Sequence, residues 1–289
     1  MSLDRLINIL VTIMLVEMMV TLGLKVTFAD ILDTAKNWKL VLRAGLANYV
    51  YVPAVTVALL LLFQAQPMVA AGFLVLAVCP GSPFGPPFTA IAKGNVALSV
   101  GLMVVLAASS AVVSPLLLSA LLPWLSGSDA LRVDSVGMVG TLLITQLLPL
   151  LAGMLVKRFR PQLAACLQKP LERAGNIINL GVAGLILATQ FQMLAQIRVR
   201  GFVGMFILLA ASLGIGWLSG GGGAAGRKSM ALTASLRNLG VGLVIAASSF
   251  GGTPAVSAAL AYGIVEIFGA RLIAIWWGRR SRSTTGVGA

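Results

Sequence analysis

The sequence predicts an all-α polytopic membrane protein with about nine transmembrane helices. The chain has 289 residues, of which 58% are hydrophobic and 10% are charged. Its mean hydropathy of +0.99 is typical of integral membrane proteins. Apolar runs of roughly 20 residues, the length that crosses a bilayer core, recur along the chain. The stretches between them are short, so we expect one transmembrane domain over residues 1–289.

Each predicted span is an apolar run that ends at a charged loop or at a turn rich in Gly and Pro. The approximate ranges are Leu6–Leu24, Leu40–Phe63, Met68–Ala92, Val96–Leu122, Val136–Val156, Ile177–Leu194, Phe202–Leu218, Met230–Phe250 and a last span that ends at Trp276 and Trp277. The separating segments include Asp30–Lys39, Gln64–Pro67, Ser126–Asp129, Lys157–Arg173, Gly220–Lys228 and Gly251–Pro254.

Two of these spans are interrupted. Prolines and glycines crowd the segment Cys79–Pro87, and proline cannot continue a helix because it lacks an N–H and clashes with the preceding turn. A second break is predicted at Leu236–Gly240. Irregular backbone at membrane depth is tolerated only where it is buried in protein or lines a cavity. Broken spans in corresponding positions of two halves predict an inverted-repeat transporter with its binding site at the breaks.

The net charge of +13 is explained by basic residues at the ends of the spans. We predict a cell (inner) membrane protein with an outside N-terminus and a cytoplasmic C-terminus. The inside ends then hold Lys25, Lys36, Lys39, Arg43, Lys93, Lys157, Arg158, Arg160, Lys169, Arg173, Arg227, Lys228, Arg279, Arg280 and Arg282. The outside ends hold Arg5, Arg132, Arg198 and Arg200.

The residues around both breaks resemble those of one family. Cys79–Gly81 followed by Ala92–Val100 is similar to the signature of the bile acid:sodium symporter family. Arg237–Gly240, continued through Ser249–Phe250 and Pro254, resembles that family's second broken helix. The resemblance implies ten spans in bacterial members, of which this chain lacks the first. It also implies a core (about 38–125 and 228–278), in which the broken helices cross, and a panel (about 5–25 and 135–219).

The resemblance also implies positions for two sodium ions. The first ion's ligands fall on Gly85, Pro86, Ser99, Met103 and Thr233, and the second ion's fall on Asn48, Thr233, Ala234, Leu236 and Arg237. The family pattern has an acidic residue at Thr233, a glutamine at Arg237, and serine and asparagine at Gly85 and Pro86. Two unit charges about 4 Å apart repel by roughly 4 kcal/mol at a moderate dielectric constant. We therefore expect that Arg237 replaces a bound cation and that sodium coupling is lost.

The candidate site residues are polar or backbone-exposing residues near the breaks. The predicted substrate-binding set is Asn48, Ser82, Pro83, Gly85, Thr89, Arg237 and Asn238; the predicted ion or coupling set is Asn95, Ser99, Thr233 and Glu266. Intramembrane charges usually face a cavity or a partner. Arg237 could attract an organic anion or form a structural ion pair with Glu266, and both can hold. Glu266 could carry a proton if it were desolvated and unpaired. The amides and hydroxyls could equally serve as packing contacts between helices.

The predicted function is secondary transport of an organic anion by alternating access, without sodium. The alternatives are a sodium- or proton-coupled symporter and, in another class, a non-transporting membrane receptor. An intramembrane enzyme is disfavoured because the sequence has no His and no intramembrane Asp pair. We expect no cofactor, metal, nucleic acid or protein partner. The cysteines Cys79 and Cys166 form no disulfide framework.

Overall fold

A computed structural model of the chain describes residues 3–126, 133–189, 191–195, 197, 199–221 and 223–283. The helices are α1 (Leu3–Lys25), α2 (Phe28–Lys36), α3 (Trp38–Leu46), α4 (Val52–Leu62), α5 (Pro67–Ala77), α6 (Gly85–Ile91), α7 (Val96–Ser126), α8 (Ser135–Leu142), α9 (Leu148–Phe159), α10 (Pro161–Thr189), α11 (Phe191–Ala195), α12 (Val199–Ser219), α13 (Gly223–Ser235), α14 (Leu239–Phe250) and α15 (Pro254–Ser283). Two π-helical turns, Ala47–Tyr51 and Leu143–Leu147, join α3 to α4 and α8 to α9.

The prediction of an all-α polytopic membrane protein is confirmed. Within the described ranges, eight helical segments are long and apolar enough to cross a membrane, and no strand is present. The remaining predicted span is the broken pair α5 and α6, of which α5 is a shorter apolar helix. The predicted loop Ser126–Asp129 lies outside the described residues except at its first one, and Arg132 and Arg198 lie outside them.

Three predicted loops are largely helical: α2 and the start of α3 cover most of Asp30–Lys39, α13 begins inside Gly220–Lys228, and the basic loop also forms helix. The sequence placed a basic loop over Lys157–Arg173, but α9 continues to Phe159 and α10 begins at Pro161. Proline is favoured at the first helical position, where its missing N–H would have no partner anyway. Pro170 lies inside α10 without ending it, so its presence was a poor signal for a loop.

The helices pack as two sets. In the first set, α1 packs against α9 and α10. In the second, α15 packs against α5 and α14, and α13 packs against α12, α6 and α7. The predicted panel range 135–219 includes α12, yet α12 packs on α13, α15 and α4. The second set therefore contains both broken helices, and α1 of the first set packs against α14 of the second broken helix.

Candidate functional site

At the first break, a glycine allows the backbone to turn and a serine hydroxyl bonds to a free carbonyl. After α5 ends at Ala77, Gly81 has a φ of +87°, a conformation that is strained for residues with a side chain. A Cβ atom on Gly81 would overlap the backbone of Ala107 in α7, so the two backbones are in close contact. The Ser114 hydroxyl donates a 2.6 Å hydrogen bond to the Val78 carbonyl, which satisfies one acceptor that the broken helix leaves free.

The second break binds directly to the first. The backbone N–H of Asn238 donates to the Cys79 carbonyl over 2.7 Å, and its side-chain Nδ2 donates to the Gly81 carbonyl over 3.3 Å. The Asn238 Oδ1 also accepts from the Val241 N–H at 3.2 Å, so this residue is the N-cap of α14. The predicted crossing of the two broken helices is thus a set of hydrogen bonds between their non-helical segments.

Arg237 lies at the centre of the crossing and is fully buried. Its Nη1 donates to the Ala77 carbonyl at 3.2 Å, and its Nη2 donates to the Ala234 carbonyl. These acceptors belong to the last turns of α5 and α13, where the helix dipole is negative and carbonyl groups lack helical partners. A guanidinium group therefore stands at the place where the carboxyl ends of two half-helices attract a cation.

Glu266 accepts from the backbone of Arg237 rather than from its guanidinium group. Its Oε1 lies 2.8 Å from the Arg237 backbone nitrogen, and the residue is fully buried. The salt bridges Lys25–Glu172 and Lys36–Asp33 involve neither Glu266 nor Arg237. The Glu266 carboxyl group thus orients the second break and lies beside Arg237 without a direct ion pair.

The sodium positions implied by the resemblance are poorly supplied with ligands. Ser82, Gly85, Met103, Thr233 and Leu236 line one narrow void that corresponds to the first ion's position. At the second, the Ala234 carbonyl is occupied by the Arg237 guanidinium, and the Asn48 Nδ2 donates to the Ala44 carbonyl at 2.8 Å. The buried Thr233 Oγ1 and Asn48 Oδ1 have no hydrogen-bond partner among the described atoms. Sodium binds several oxygens, and few are offered here.

The remaining predicted residues lie between the first break and the first turn of α7. The Thr89 hydroxyl donates to the Ser99 hydroxyl at 3.1 Å, and a Cβ on Gly85 would lie 3.5 Å from that same Ser99 oxygen. Ser82 is buried and accepts from the Phe84 N–H, with half-buried Pro83 beside it. Asn95 is exposed.

Asn95 serves the start of α7 rather than the crossing. Its Oδ1 accepts from the Leu98 N–H at 3.0 Å, and its backbone N–H donates to the Ser229 hydroxyl of α13 at 2.8 Å. Lys228, on the same turn of α13, donates a 2.9 Å hydrogen bond to the Ala92 carbonyl after α6. These contacts attach the α6–α7 connection to the start of α13.

Two polar residues that the sequence analysis missed bind α7 from π-helical turns. The Tyr49 hydroxyl lies 3.0 Å from the Leu106 carbonyl and 2.7 Å from the Ser109 hydroxyl. Gln146 is buried, and its Nε2 donates to the Ala107 carbonyl and, at 3.0 Å, to the Ser110 hydroxyl. Both were visible as polar residues inside apolar spans, but π-helical turns, which often mark functional sites, have no sequence signature here.

A cavity lies away from these residues. It has a volume of about 800 Å³ and opens between the end of α4 and the beginnings of α5, α12 and α15. None of the predicted substrate-binding or coupling residues lines it.

The chain is similar to known transporters along most of its length. A family model described as "Sodium Bile acid symporter family" matches residues 12–212. The Bacillus subtilis (strain 168) protein named "Uncharacterized sodium-dependent transporter YocS" is 25% identical over 288 residues, covering 96% of this chain and 86% of that protein. The Arabidopsis thaliana protein "Probable sodium/metabolite cotransporter BASS1, chloroplastic" is 26% identical over 275 residues, covering 91% of this chain and 65% of that protein.

A rice relative is similar to this chain to about the same extent. The Oryza sativa subsp. japonica protein "Probable sodium/metabolite cotransporter BASS2, chloroplastic" is 25% identical over 284 residues, covering 94% of this chain and 64% of that protein. The chain therefore spans less than two thirds of the length of these plant relatives.

Proposed function

We propose a mechanism from one premise: this chain belongs to the sodium bile acid symporter family. It is a secondary transporter and not an enzyme. Within that class, we propose that it carries a small organic anion by alternating access and that it does so without sodium. Arg237 provides the positive charge that a bound sodium ion would otherwise supply at the crossing.

The observation that carries this proposal is the position of the Arg237 guanidinium group. It donates hydrogen bonds to carbonyls at the ends of both α5 and α13, one of which is an implied sodium ligand. A sodium ion at that position would share its ligand with a fixed cation and be repelled by it. The guanidinium group is covalently attached, so this charge is present in every step of a transport cycle.

An anionic substrate is supported by the charges and dipoles at the crossing. The N-terminus of α14, capped by Asn238, begins next to Arg237, and a helix N-terminus attracts negative charge. The proposed substrate-binding residues around it are Asn48, Ser82, Pro83, Gly85, Thr89, Arg237 and Asn238. We keep Thr233, Ser99, Asn95 and Glu266 as the proposed coupling residues.

For alternating access, we propose that the set formed by α1, α9 and α10 moves against the set that contains the crossing. Because α12 packs on α13, we assign it to the core rather than to the panel. Gln146 joins the segment α8–α9 to α7 by hydrogen bonds, and these bonds would change during the motion. The orientation with the N-terminus outside a cell (inner) membrane remains part of this proposal.

Coupled symport is the second candidate, and specific atoms favour it. The relatives' printed names are "sodium-dependent transporter" and "sodium/metabolite cotransporter". The buried oxygens Thr233 Oγ1 and Asn48 Oδ1 have no hydrogen-bond partner among the described atoms and could join a rebuilt sodium site. The Glu266 Oε2, which is likewise unpartnered there, could accept a proton.

The first experiment measures the melting temperature of the purified protein with a panel of organic anions, in sodium and in choline buffer, at two pH values. A ligand that binds only the folded state raises this temperature. We expect one or more anions to stabilise equally in both cations. Stabilisation that requires sodium would contradict the role of Arg237. Counterflow of the labelled anion in liposomes then separates a carrier from a receptor, because a receptor binds without exchange.

A sharper test restores the family's side chains. The double variant Thr233→Glu with Arg237→Gln supplies a carboxylate and removes the fixed cation. We expect its counterflow to depend on sodium, whereas the wild type and a control variant at the exposed Arg271, Arg271→Gln, remain independent of sodium. Sodium dependence already present in the wild type would favour the second candidate.

A further inference from the structure

The cavity of about 800 Å³ is separate from the crossing and has a charged rim and an apolar floor. Its rim includes Gln64, Gln66 and Arg200, and its floor includes Phe73, Met205 and Leu208. The three floor residues are buried members of one hydrophobic cluster. The volume falls in the range of about 300–1,000 Å³ that is usual for small-molecule sites.

The rim is positively charged and held in place. The Arg200 guanidinium carbon lies 5.4 Å from the centre of the Phe63 ring, and its Nη2 donates a 3.4 Å hydrogen bond to the Leu62 carbonyl. A cation over an aromatic face is attracted by the ring's quadrupole. Arg200 is therefore positioned at the mouth, where its other N–H groups can bind a carboxylate.

Helix ends add to this charge. The helices α5, α12 and α15 all begin beside the cavity, and Pro254, the first residue of α15, lies in its wall. The N-terminal ends of helices carry partial positive charge and unpaired N–H groups. Among the described residues, the mouth combines the positive charge of Arg200 with three positive dipole ends, and none of its lining residues there is acidic.

Glycines on α12 leave room for an apolar body. Gly201 and Gly204 line the cavity, one turn of α12 apart. A Cβ atom on Gly204 would meet only the Phe63 ring, at 3.5 Å. Larger side chains at this position would extend into the cavity. By contrast, a Cβ atom on Gly214, on the same helix, would meet nothing within 4 Å.

We propose that this cavity is a second ligand site that binds an amphipathic organic anion, with its acidic group at Arg200 and its apolar body on Phe73, Met205 and Leu208. The site is independent of the proposed transport mechanism because it shares no residue with the crossing. Two sources have this chemistry, a soluble hydrophobic carboxylate and an anionic lipid, and the test separates them.

The experiment measures binding of radiolabelled dodecanoate to the full chain in phosphatidylcholine nanodiscs, with empty nanodiscs subtracted. We expect saturable binding in the wild type. Arg200→Gln should weaken dodecanoate binding about tenfold, the loss of one charge-assisted hydrogen bond, and leave dodecanol binding unchanged. Gly204→Leu should weaken both ligands more than tenfold by filling the cavity, and the control Gly214→Leu should bind as the wild type.

Competition experiments show whether the ligand is a soluble anion or a lipid. Displacement by 4-phenylbutyrate added to the aqueous phase indicates a soluble anion, and displacement by phosphatidylglycerol in the nanodisc indicates a lipid. The proposal is overturned if the wild type shows no saturable binding, or if Arg200→Gln binds dodecanoate as tightly as the wild type. Should Gly204→Leu lower the melting temperature, the Arg200→Gln comparison with dodecanol decides alone.

Discussion

The two helix breaks differ in what ends the helix. The first, between Ala77 and Gly85, contains prolines and glycines and carries no charge. The second, between Ser235 and Leu239, contains neither proline nor glycine, and its centre is Arg237. The prolines of the first segment disfavour a helix whatever surrounds them, because each lacks the N–H that a helix uses and its ring clashes with the preceding turn. The second is non-helical because its residues bond to other parts of the molecule.

At the crossing, the first break supplies hydrogen-bond acceptors and the second break supplies donors. The carbonyls of Ala77, Cys79 and Gly81 accept hydrogen bonds from Arg237 and Asn238. The bilayer core contains no water, so each backbone group without a hydrogen-bond partner costs several kcal/mol of free energy. The carbonyls of the first break therefore need these donors. A broken helix in a membrane is therefore stable only when another segment supplies the hydrogen-bond partners that the missing turn would have supplied.

The largest expected effect is the loss of the charged donor. Arg237→Met should lower the free energy of unfolding by about 3–5 kcal/mol, because it leaves two buried carbonyls without donors, each at a cost of about 1–3 kcal/mol. Denaturant titration of the purified protein in mixed micelles measures it. Arg271→Met, on the exposed face of α15, is the matched control and should change little. A loss below about 1 kcal/mol for Arg237→Met would show that the crossing does not depend on this donor.

A smaller effect is expected at the first break itself. Gly81→Ala should cost about 2–4 kcal/mol, combining the strain of a positive φ with overlap against Ala107. Gly184→Ala, in α10 with nothing near its Cβ, is the control and should be neutral or slightly stabilising. The same titration measures both variants. Equal stability of the two would mean that α7 can move away from the break.

The smallest expected effect concerns the side chain of Asn238. Asn238→Ala removes both the N-cap of α14 and the bond to the Gly81 carbonyl, at a cost of about 1–2 kcal/mol. Asn238→Asp keeps the acceptor for the Val241 N–H but loses the donor to Gly81. We expect hydrogen exchange at Val241 to stay slow in the Asp variant and to become faster in the Ala variant. Equal hydrogen-exchange rates at Val241 in both variants would mean that Asn238 stabilises the break only through its contact with Gly81.

Much of the fold and part of the site could be predicted from the sequence. The apolar runs predicted the helices, and the prolines predicted the first break. Arg237 was identified because a charged side chain in an apolar span is costly and usually faces a partner or a cavity. Sequence reasoning could not find Tyr49 or Gln146, since their importance depends on π-helical turns and on which face of α7 they meet. It also proposed Asn95 as a coupling residue, whereas its contacts are those of a cap at the start of α7.

The class of protein, the place of the proline-rich first break and the presence of a cation in an apolar span follow from the sequence alone, because hydrophobicity, proline geometry and charge are properties of residues along the chain. The tertiary structure decided which carbonyls the Arg237 guanidinium meets, that Glu266 binds the backbone of Arg237 rather than its side chain, and that a cavity with Arg200 at its mouth opens between four helices. The physical reason is that hydrogen bonds and cavities depend on distances between residues far apart in the chain, and local patterns carry no record of those distances.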